Sequence, residues 1–173
     1  MARIETDRLV LREQTPDDAA FVLTLVNDPD WLRYIGDRGV RTLGDARVYV
    51  QNAIGSYRRD GFGLWLVEAR GDAAPVGLCG LIKRDSLEDV DLGFAFLPAY
   101  RGRGYASEAA TAVLDHGWRV LGLRRVVAIV SPDNAASVRV LEGLGFTFDR
   151  PVRLPGGDGV SLFARDAPGP GDG

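Results

Sequence analysis

Two arginines and two glycines alternate in Arg101-Gly102-Arg103-Gly104, directly ahead of Tyr105 and Ala106. Glycine supplies backbone conformations that other residues resist, so the segment reads as a tight turn. Apolar residues then recur at Ala110, Val113, Leu114, Gly117 and Leu121, the three-to-four spacing of a half-buried helix. The turn is therefore a helix entrance, where free N–H groups and the positive end of the helix dipole favour negative charge. Glycines at such an entrance let a diphosphate approach the backbone closely. Arg101 and Arg103 would add full positive charge beside those amides. The chemistry expected here is the seating of a phosphate.

Other chemistries are short of residues. One Cys, Cys79, rules out an intrachain disulfide. With one His, His116, neither a Cys/His zinc site nor a Ser-His-Asp triad is expected, and no metal is invoked. Cys79 lies in the apolar run from Val76 to Ile82 and reads as a small buried thiol of a strand. His116 shares a helix side with Asp115 and Arg119 and reads as exposed. A net charge of −3 gives no basic footprint for nucleic acid. No apolar run approaches the roughly 20 residues that span a bilayer. The N-terminal MARIETDRLVLRE has no apolar signal core, so a cytoplasmic protein without membrane attachment is expected.

The elements that must hold the turn follow from pattern. Val90 to Leu97 is a nearly apolar strand stopped by Pro98, and Arg125 to Val130 is a β-branched strand beyond the helix. Together they make a parallel βαβ unit with a right-handed crossover. Upstream, Arg3 to Glu13 reads as a first strand. Thr15 and Pro16 start a helix, and Trp31 to Ile35 form a short helical turn. A longer helix runs from the cap Thr42 to about Arg59 and ends at Gly61. Phe62 to Ala69 and Pro75 to Lys83 read as paired strands, with a charged hairpin from Lys83 to Asp89. Downstream, Asn134 to Glu142 is a helix, and Phe146 to Val152 with Gly159 to Ala164 close the sheet as a hairpin. The expectation is an α+β (mixed α/β) domain over 1–164: about seven mostly antiparallel strands flanked by about four helices. Residues 165–173 have nothing to bury and read as a disordered tail.

These residues resemble the GNAT acetyltransferases. Arg101-x-x-Gly104-x-Ala106 fits that family's acyl-CoA motif, Gln/Arg-x-x-Gly-x-Gly/Ala, between the fourth strand and the third helix. Thr6-Asp7-Arg8-Leu9-Val10-Leu11-Arg12 is similar to the opening strand of the branch that includes the ribosomal-protein N-terminal acetyltransferases. Asp91-Leu92-Gly93-Phe94 stands where that branch has Glu-Ile-Gly-Tyr, and Asn134 to Ser137 with Leu144-Gly145-Phe146 resembles its closing helix motif. The resemblance implies acetyl-CoA as co-substrate. Its pyrophosphate would lie on the amides of Arg101, Gly102, Arg103, Gly104, Tyr105 and Ala106. Its pantetheine arm would fill a wedge between two splayed parallel strands, against Phe94, Ala95, Phe96 and Leu97, with Asn134 bonding from the facing side.

It also implies direct transfer to an amine, with proximity carrying much of the barrier and two proton tasks left over. Neutralising a lysine-like amine at neutral pH costs about 4 kcal/mol, and an α-amine about 1 kcal/mol or less. Asp91, sharing a strand face with Gly93 and Ala95, is the candidate base or amine-orienting carboxylate, or else a strand-end carboxylate paired with an Arg. It is one methylene shorter than the family's Glu. Glu88 and Asp89 are reserves. Ser137 is the candidate thiolate partner, or a plain first-turn residue of a capped helix. Trp31 and Tyr34 fall at the family's acceptor segment, although Trp31 equally suits a core. Trp65 and Trp118 read as core.

Three alternatives stay open. Gly102-x-Gly104-x-x-Ser107 resembles a dinucleotide fingerprint, but it lacks the third glycine and no repeated βαβ half follows. A CoA-binding module without chemistry would bind acetyl-CoA without turnover. Within the family, the acceptor is a protein or peptide N-terminal amine, or a small amine such as an antibiotic. A homodimer is compatible with either.

Overall fold

The chain enters the sheet through two short strands where one was expected. In the computed structural model, which describes residues 3–157 and 159–169, β1 (Arg3–Glu5) and β2 (Leu9–Arg12) form an antiparallel pair. Thr6, Asp7 and Arg8 turn the chain between them, with the Thr6 N–H donating to the Leu9 carbonyl at 2.9 Å. Three helices follow: α1 (Ala19–Val26), α2 (Pro29–Tyr34) and α3 (Leu43–Asp60). A 3-10 turn at Pro16–Asp18 leads into α1. The α3 boundaries follow local chemistry. Thr42 and Asp45 satisfy each other's backbone N–H groups at its start, and Gly61 ends it with φ +82°.

Next come β3 (Leu64–Ala69), β4 (Pro75–Ile82), β5 (Asp91–Phe96), α4 (Tyr105–Arg119), β6 (Arg125–Val130) and α5 (Ala135–Gly143). The closing pair is β7 (Thr147–Arg153) and β8 (Gly159–Asp166). Eight strands make one sheet in the order β1-β2-β3-β4-β5-β6-β8-β7, with β5–β6 its parallel pair. The α+β class stands, with one strand more than expected because the opening segment is split. The closing strand also runs on to Asp166, and the Ala167 N–H donates to the Arg124 carbonyl at 2.8 Å, so the ordered fold passes Ala164. Of the expected tail, residues 170–173 lie outside the described residues.

Each sheet face has its own core. Alternation along β5 sends Leu92, Phe94 and Phe96 to the side of α4 and α5 and Ala95 to the side of α1 to α3. On the first face α4 buries Ala109, Ala110, Val113, Leu114 and Gly117. Burying side chains like Val113 and Leu114 contributes about 1.5–3 kcal/mol each. Trp65 and Cys79 are in this core, and burial pushes the Cys79 thiol well above its ordinary range. His116 is not the exposed residue expected: it packs edge-on against Trp65 at 5.4 Å, and burial lowers its basicity. Trp118 is only half-buried, with the Arg165 guanidinium over its ring.

One gap breaks this sheet. β5 pairs with β4 along its whole length and β6 does so with β8. Between β5 and β6 the ladder has a single position, Asp91 opposite Val127, closed by the Val127 N–H on the Val90 carbonyl at 3.0 Å. Beyond it the strands diverge, and alternate backbone groups on each face the opening. No helix among the described residues is long and apolar enough to cross a membrane.

Candidate active site

The turn after β5 is built for backbone exposure. Gly102 and Gly104 adopt φ +75° and +80°, a region that costs an L side chain roughly 1–2 kcal/mol. Gly104 is the residue at the α4 entrance, and a Cβ there would stand 3.4 Å from Arg8 Nη2. With the chain turned this way, the N–H groups of Gly102, Arg103, Gly104, Tyr105, Ala106 and Ser107 find no backbone carbonyl among the described residues. The Arg101 N–H differs, donating to the Pro98 carbonyl at 3.2 Å. Glu108 fixes the first turn of α4 from outside, accepting from Thr6 Oγ1 and from Arg8 N and Nε. Burial raises the Glu108 pKa, but these bonds outweigh it and hold the carboxyl below its ordinary value.

The two arginines of the turn differ in their surroundings. Arg101 donates from Nε to the Phe96 carbonyl at 3.0 Å, from Nη1 to Asp30 and from Nη2 to Asp28, both at 2.6 Å. Its charge is thus answered within the protein. Arg103 is exposed, lies over the Tyr100 ring and has no carboxylate partner among the described residues.

A cavity of about 1330 Å³ runs from this turn into the gap between β5 and β6. Phe94, Ala95 and Phe96 line one wall, and Ala128, Ile129 and Val130 the other. Leu97 does not reach the cavity, and its N–H goes to the Val76 carbonyl of β4 at 3.0 Å. Asn134 and Ser137 stand at the cavity from α5. The Asn134 side chain accepts the Ser137 N–H at 3.3 Å, so Asn134 is the helix cap and the Ser137 hydroxyl keeps its hydrogen-bonding capacity.

Asp91 sits at the apex, where the strands part. It is 1 % exposed, Oδ2 accepts from Arg84 Nε at 3.1 Å, and Oδ1 has no hydrogen-bond partner among the described residues. Burial pushes the Asp91 pKa up, and Arg84 opposes that rise. The expected Arg pairing and the candidate base are therefore the same carboxylate seen from its two oxygens. Glu88 and Asp89 do not line the cavity, and Asp89 pairs with Arg125 at 3.3 Å.

The α2 segment crosses the outer end of the gap. Arg101 holds Asp28 and Asp30 at its start, and at its end Ser131 Oγ, just past β6, donates to the Tyr34 carbonyl at 2.9 Å. Both Trp31 and Tyr34 touch the cavity, but Trp31 is a core residue as well, 5 % exposed with an unpartnered indole N–H.

Among the described residues, every carboxylate on the cavity wall is already in an ion pair. Asp28 and Asp30 share Arg101, Asp37 has Arg41, Asp60 has Arg59, Asp91 has Arg84 and Asp133 has Arg33. Arg38, Lys83 and Arg139 line the same wall with no carboxylate partner among the described residues. The roles of Asp28, Asp30, Arg84 and Ser131 were not legible beforehand. The only local signal was Asp28-Pro29, a cap-like pair that reads simply as the end of a helix.

The sheet is opened by a splayed parallel pair, with a turn of free amides at one end and a buried carboxylate at the other. The profile of the Acetyltransferase (GNAT) domain matches residues 8–147. The uncharacterized N-acetyltransferase YnaD of Bacillus subtilis is 32 % identical over 142 residues, covering 82 % of this chain and 81 % of that protein. A GNAT-family acetyltransferase structure from Bacillus anthracis superposes with TM-score 0.80 and 28 % identity, over 95 % of this chain and 98 % of that one. The ribosomal L7/L12 N-terminal acetyltransferase RimL, solved with coenzyme A, has TM-score 0.82 at 22 % identity, over 95 % and 98 %, a likeness of fold. The chain belongs to the GNAT acetyltransferase family and is an acetyl-CoA-dependent N-acetyltransferase.

Proposed function

We propose that the acceptor is an α-amine at the end of a protein or peptide chain, and that Asp91 and Ser137 divide the two proton tasks. The observation that carries this reading is the Asp91–Arg84 pair at the apex. Burial raises the Asp91 pKa against the opposing pull of Arg84, but a carboxylate so raised is still a modest base beside an amine. Such a base suits an amine whose neutralisation costs about 1 kcal/mol or less, and is poorly matched to the roughly 4 kcal/mol of a lysine side chain.

The donor fits the residues present. Free amides from Gly102 to Ser107 suit the diphosphate, with the α4 dipole behind them. The open backbone edges of β5 and β6 suit the amide-bearing arm, with Asn134 beside them. Bound there, acetyl-CoA supplies an acetyl group activated as a thioester, which passes to the amine as the C–S bond breaks and leaves a thiolate. Asp91 Oδ1, with no protein partner, accepts a hydrogen bond from the ammonium and then its proton, directly or through water. Ser137 Oγ donates a hydrogen bond towards the departing sulfur. Apolar walls at Phe94, Phe96 and Val130 keep bulk water from the arm.

The test is thiol release with acetyl-CoA against two sets of peptides, one with a free N-terminus and no lysine, the other N-terminally blocked with one lysine. The first set is expected to turn over and the second to be poor. Turnover confined to the blocked lysine peptides would sink the reading.

A further inference from the structure

Cationic side chains gather on one side of the amine position. Arg84 gives Nε to Asp91, and its Nη groups have no hydrogen-bond partner among the described residues. It is partly open to the cavity, with 27 % of its side chain exposed. Arg38 reaches the cavity from the loop after α2, exposed and without a carboxylate partner. Both charges act on the hydroxyl of Tyr49, which projects from α3 into the same space, and burial raises the pKa of that phenol despite them. Lys83 lies on the wall nearby in sequence, its Nζ donating to the carbonyls of Leu87 and Glu88.

The contrast with the carboxylates is what decides the sign. Among the described residues each acid on the wall already has an arginine partner, so beyond Asp91, whose Oδ1 is open, a second cationic group on the acceptor meets no unpaired carboxylate. An anionic group would instead meet donors that are already free, and charge-assisted bonds to a guanidinium fork are among the stronger contacts available. The second, independent observation is Asp91 Oδ1, buried and unpartnered at the apex. One guanidinium thus joins the two halves of the site, its Nε fixing the carboxylate for an ammonium and its Nη groups facing outward.

We infer that the preferred acceptor carries an anionic group close to its reacting amine, with Asp91 taking the ammonium and Arg84, Arg38 and Tyr49 taking the anion. This rests on the amine-acetylation reading and adds a charge requirement, which a free amino acid meets as well as a peptide. The anion can be the carboxylate of a free amino acid or an acidic side chain near a peptide N-terminus, since both present an amine and an anion a few bonds apart.

The experiment compares kcat/KM, by thiol release with acetyl-CoA, across acceptors that differ in charge. Peptides Ser-Glu-Ala-Ala, Ser-Gln-Ala-Ala and Ser-Lys-Ala-Ala, all C-terminally amidated, test the side-chain source. Serine against serinamide, compared per neutral amine because amidation lowers the amine's basicity, tests the free-carboxylate source, and spermidine is the polycation. The acidic member of at least one series should exceed its neutral isostere by about tenfold. That advantage should shrink with added salt and largely vanish in Arg38→Gln. Arg38→Glu should shift preference towards the lysine peptide, while both variants keep the melting shift given by acetyl-CoA. Turnover with no charge preference, or with spermidine best, would overturn this inference and leave amine acetylation standing. An advantage unchanged in both Arg38 variants would also overturn it. No thiol release from any amine would remove both readings together.

Discussion

The Arg101 guanidinium and the Asp28 carboxylate meet at 2.6 Å, joining the turn at the α4 entrance to the segment that covers the cleft. Asp28 is buried and caps α2 by accepting the Asp30 N–H at 3.2 Å, so the bond fixes the start of the helix that carries Trp31 and Tyr34. Of the two arginines expected beside the phosphate, Arg101 ties the donor and acceptor halves together, while Arg103 carries no carboxylate partner among the described residues. Beside Arg103 stand the glycine-exposed amides and the helix dipole behind them.

Arg101→Ala should therefore act on the acceptor side. It leaves Asp28 buried without its cation, which should cost about 1–2 kcal/mol in urea unfolding, Arg101 being partly solvated. KM for the amine should rise several-fold more than KM for acetyl-CoA. A variant with only the acetyl-CoA constant raised would show that the guanidinium binds the donor.

Gly104→Ala tests the turn itself. At φ +80° the added Cβ strains the backbone whatever the space, and it would stand 3.4 Å from Arg8 Nη2, the movable end of a flexible side chain. A loss of about 1–2 kcal/mol in stability is expected, with a smaller melting shift from acetyl-CoA. Gly102→Ala has the same kind of strain with nothing within 4 Å of the new atom, so it should show the backbone cost alone. Equal acetyl-CoA shifts in the wild type and both variants would show that these amides do not seat the donor.

Legibility followed locality. Caps, periodicity and β-branched runs carried α3, α4, β5 and β6, because each is decided by neighbours within a few residues: Thr42 with Asp45, Gly61 at a left-handed turn. The break at Thr6 to Arg8 was invisible because Thr6 and Arg8 are held by Glu108, about a hundred residues away. Arg101 was read through its neighbours in sequence, whereas its carboxylates lie 71 and 73 positions off. His116 failed similarly: its helix neighbours are charged, and only the sheet supplies Trp65 beneath it. Asp91 was found because its strand position is local, but its partner Arg84 came from the hairpin geometry.

Asp91→Asn separates chemistry from stability. Removing the proton acceptor should lower kcat/KM about a hundredfold and abolish the rise of rate with pH that follows Asp91 ionisation, leaving only the acceptor amine's own titration. Stability should move the other way. The folded pKa of Asp91 is raised by burial above the unfolded value of about 4. The stability linked to its protonated form is fully present below the unfolded pKa and lost as pH rises through the folded one. Asn does not titrate and can still accept from Arg84 Nε. The variant's melting advantage should be absent in acid and grow through that window, measured by thermal scans from pH 4 to 8. An unchanged rate profile would remove Asp91 from the reaction.

Ser137→Ala asks whether the hydroxyl does more than fill the first turn of α5. Only the Ser137 N–H is used by the Asn134 cap, so alanine keeps the helix start and should leave stability nearly unchanged. A hydrogen bond to a developing thiolate is worth roughly 1.5–3 kcal/mol, so kcat should fall at least about tenfold. The acetyl-CoA dissociation constant should change little, because the hydroxyl gains its partner only as charge appears on sulfur. Raising the leaving thiol's acidity in an acyl donor analogue should then narrow the gap between wild type and variant. A variant as fast as wild type, or one slowed only through weaker acetyl-CoA binding, would return Ser137 to a plain helix residue.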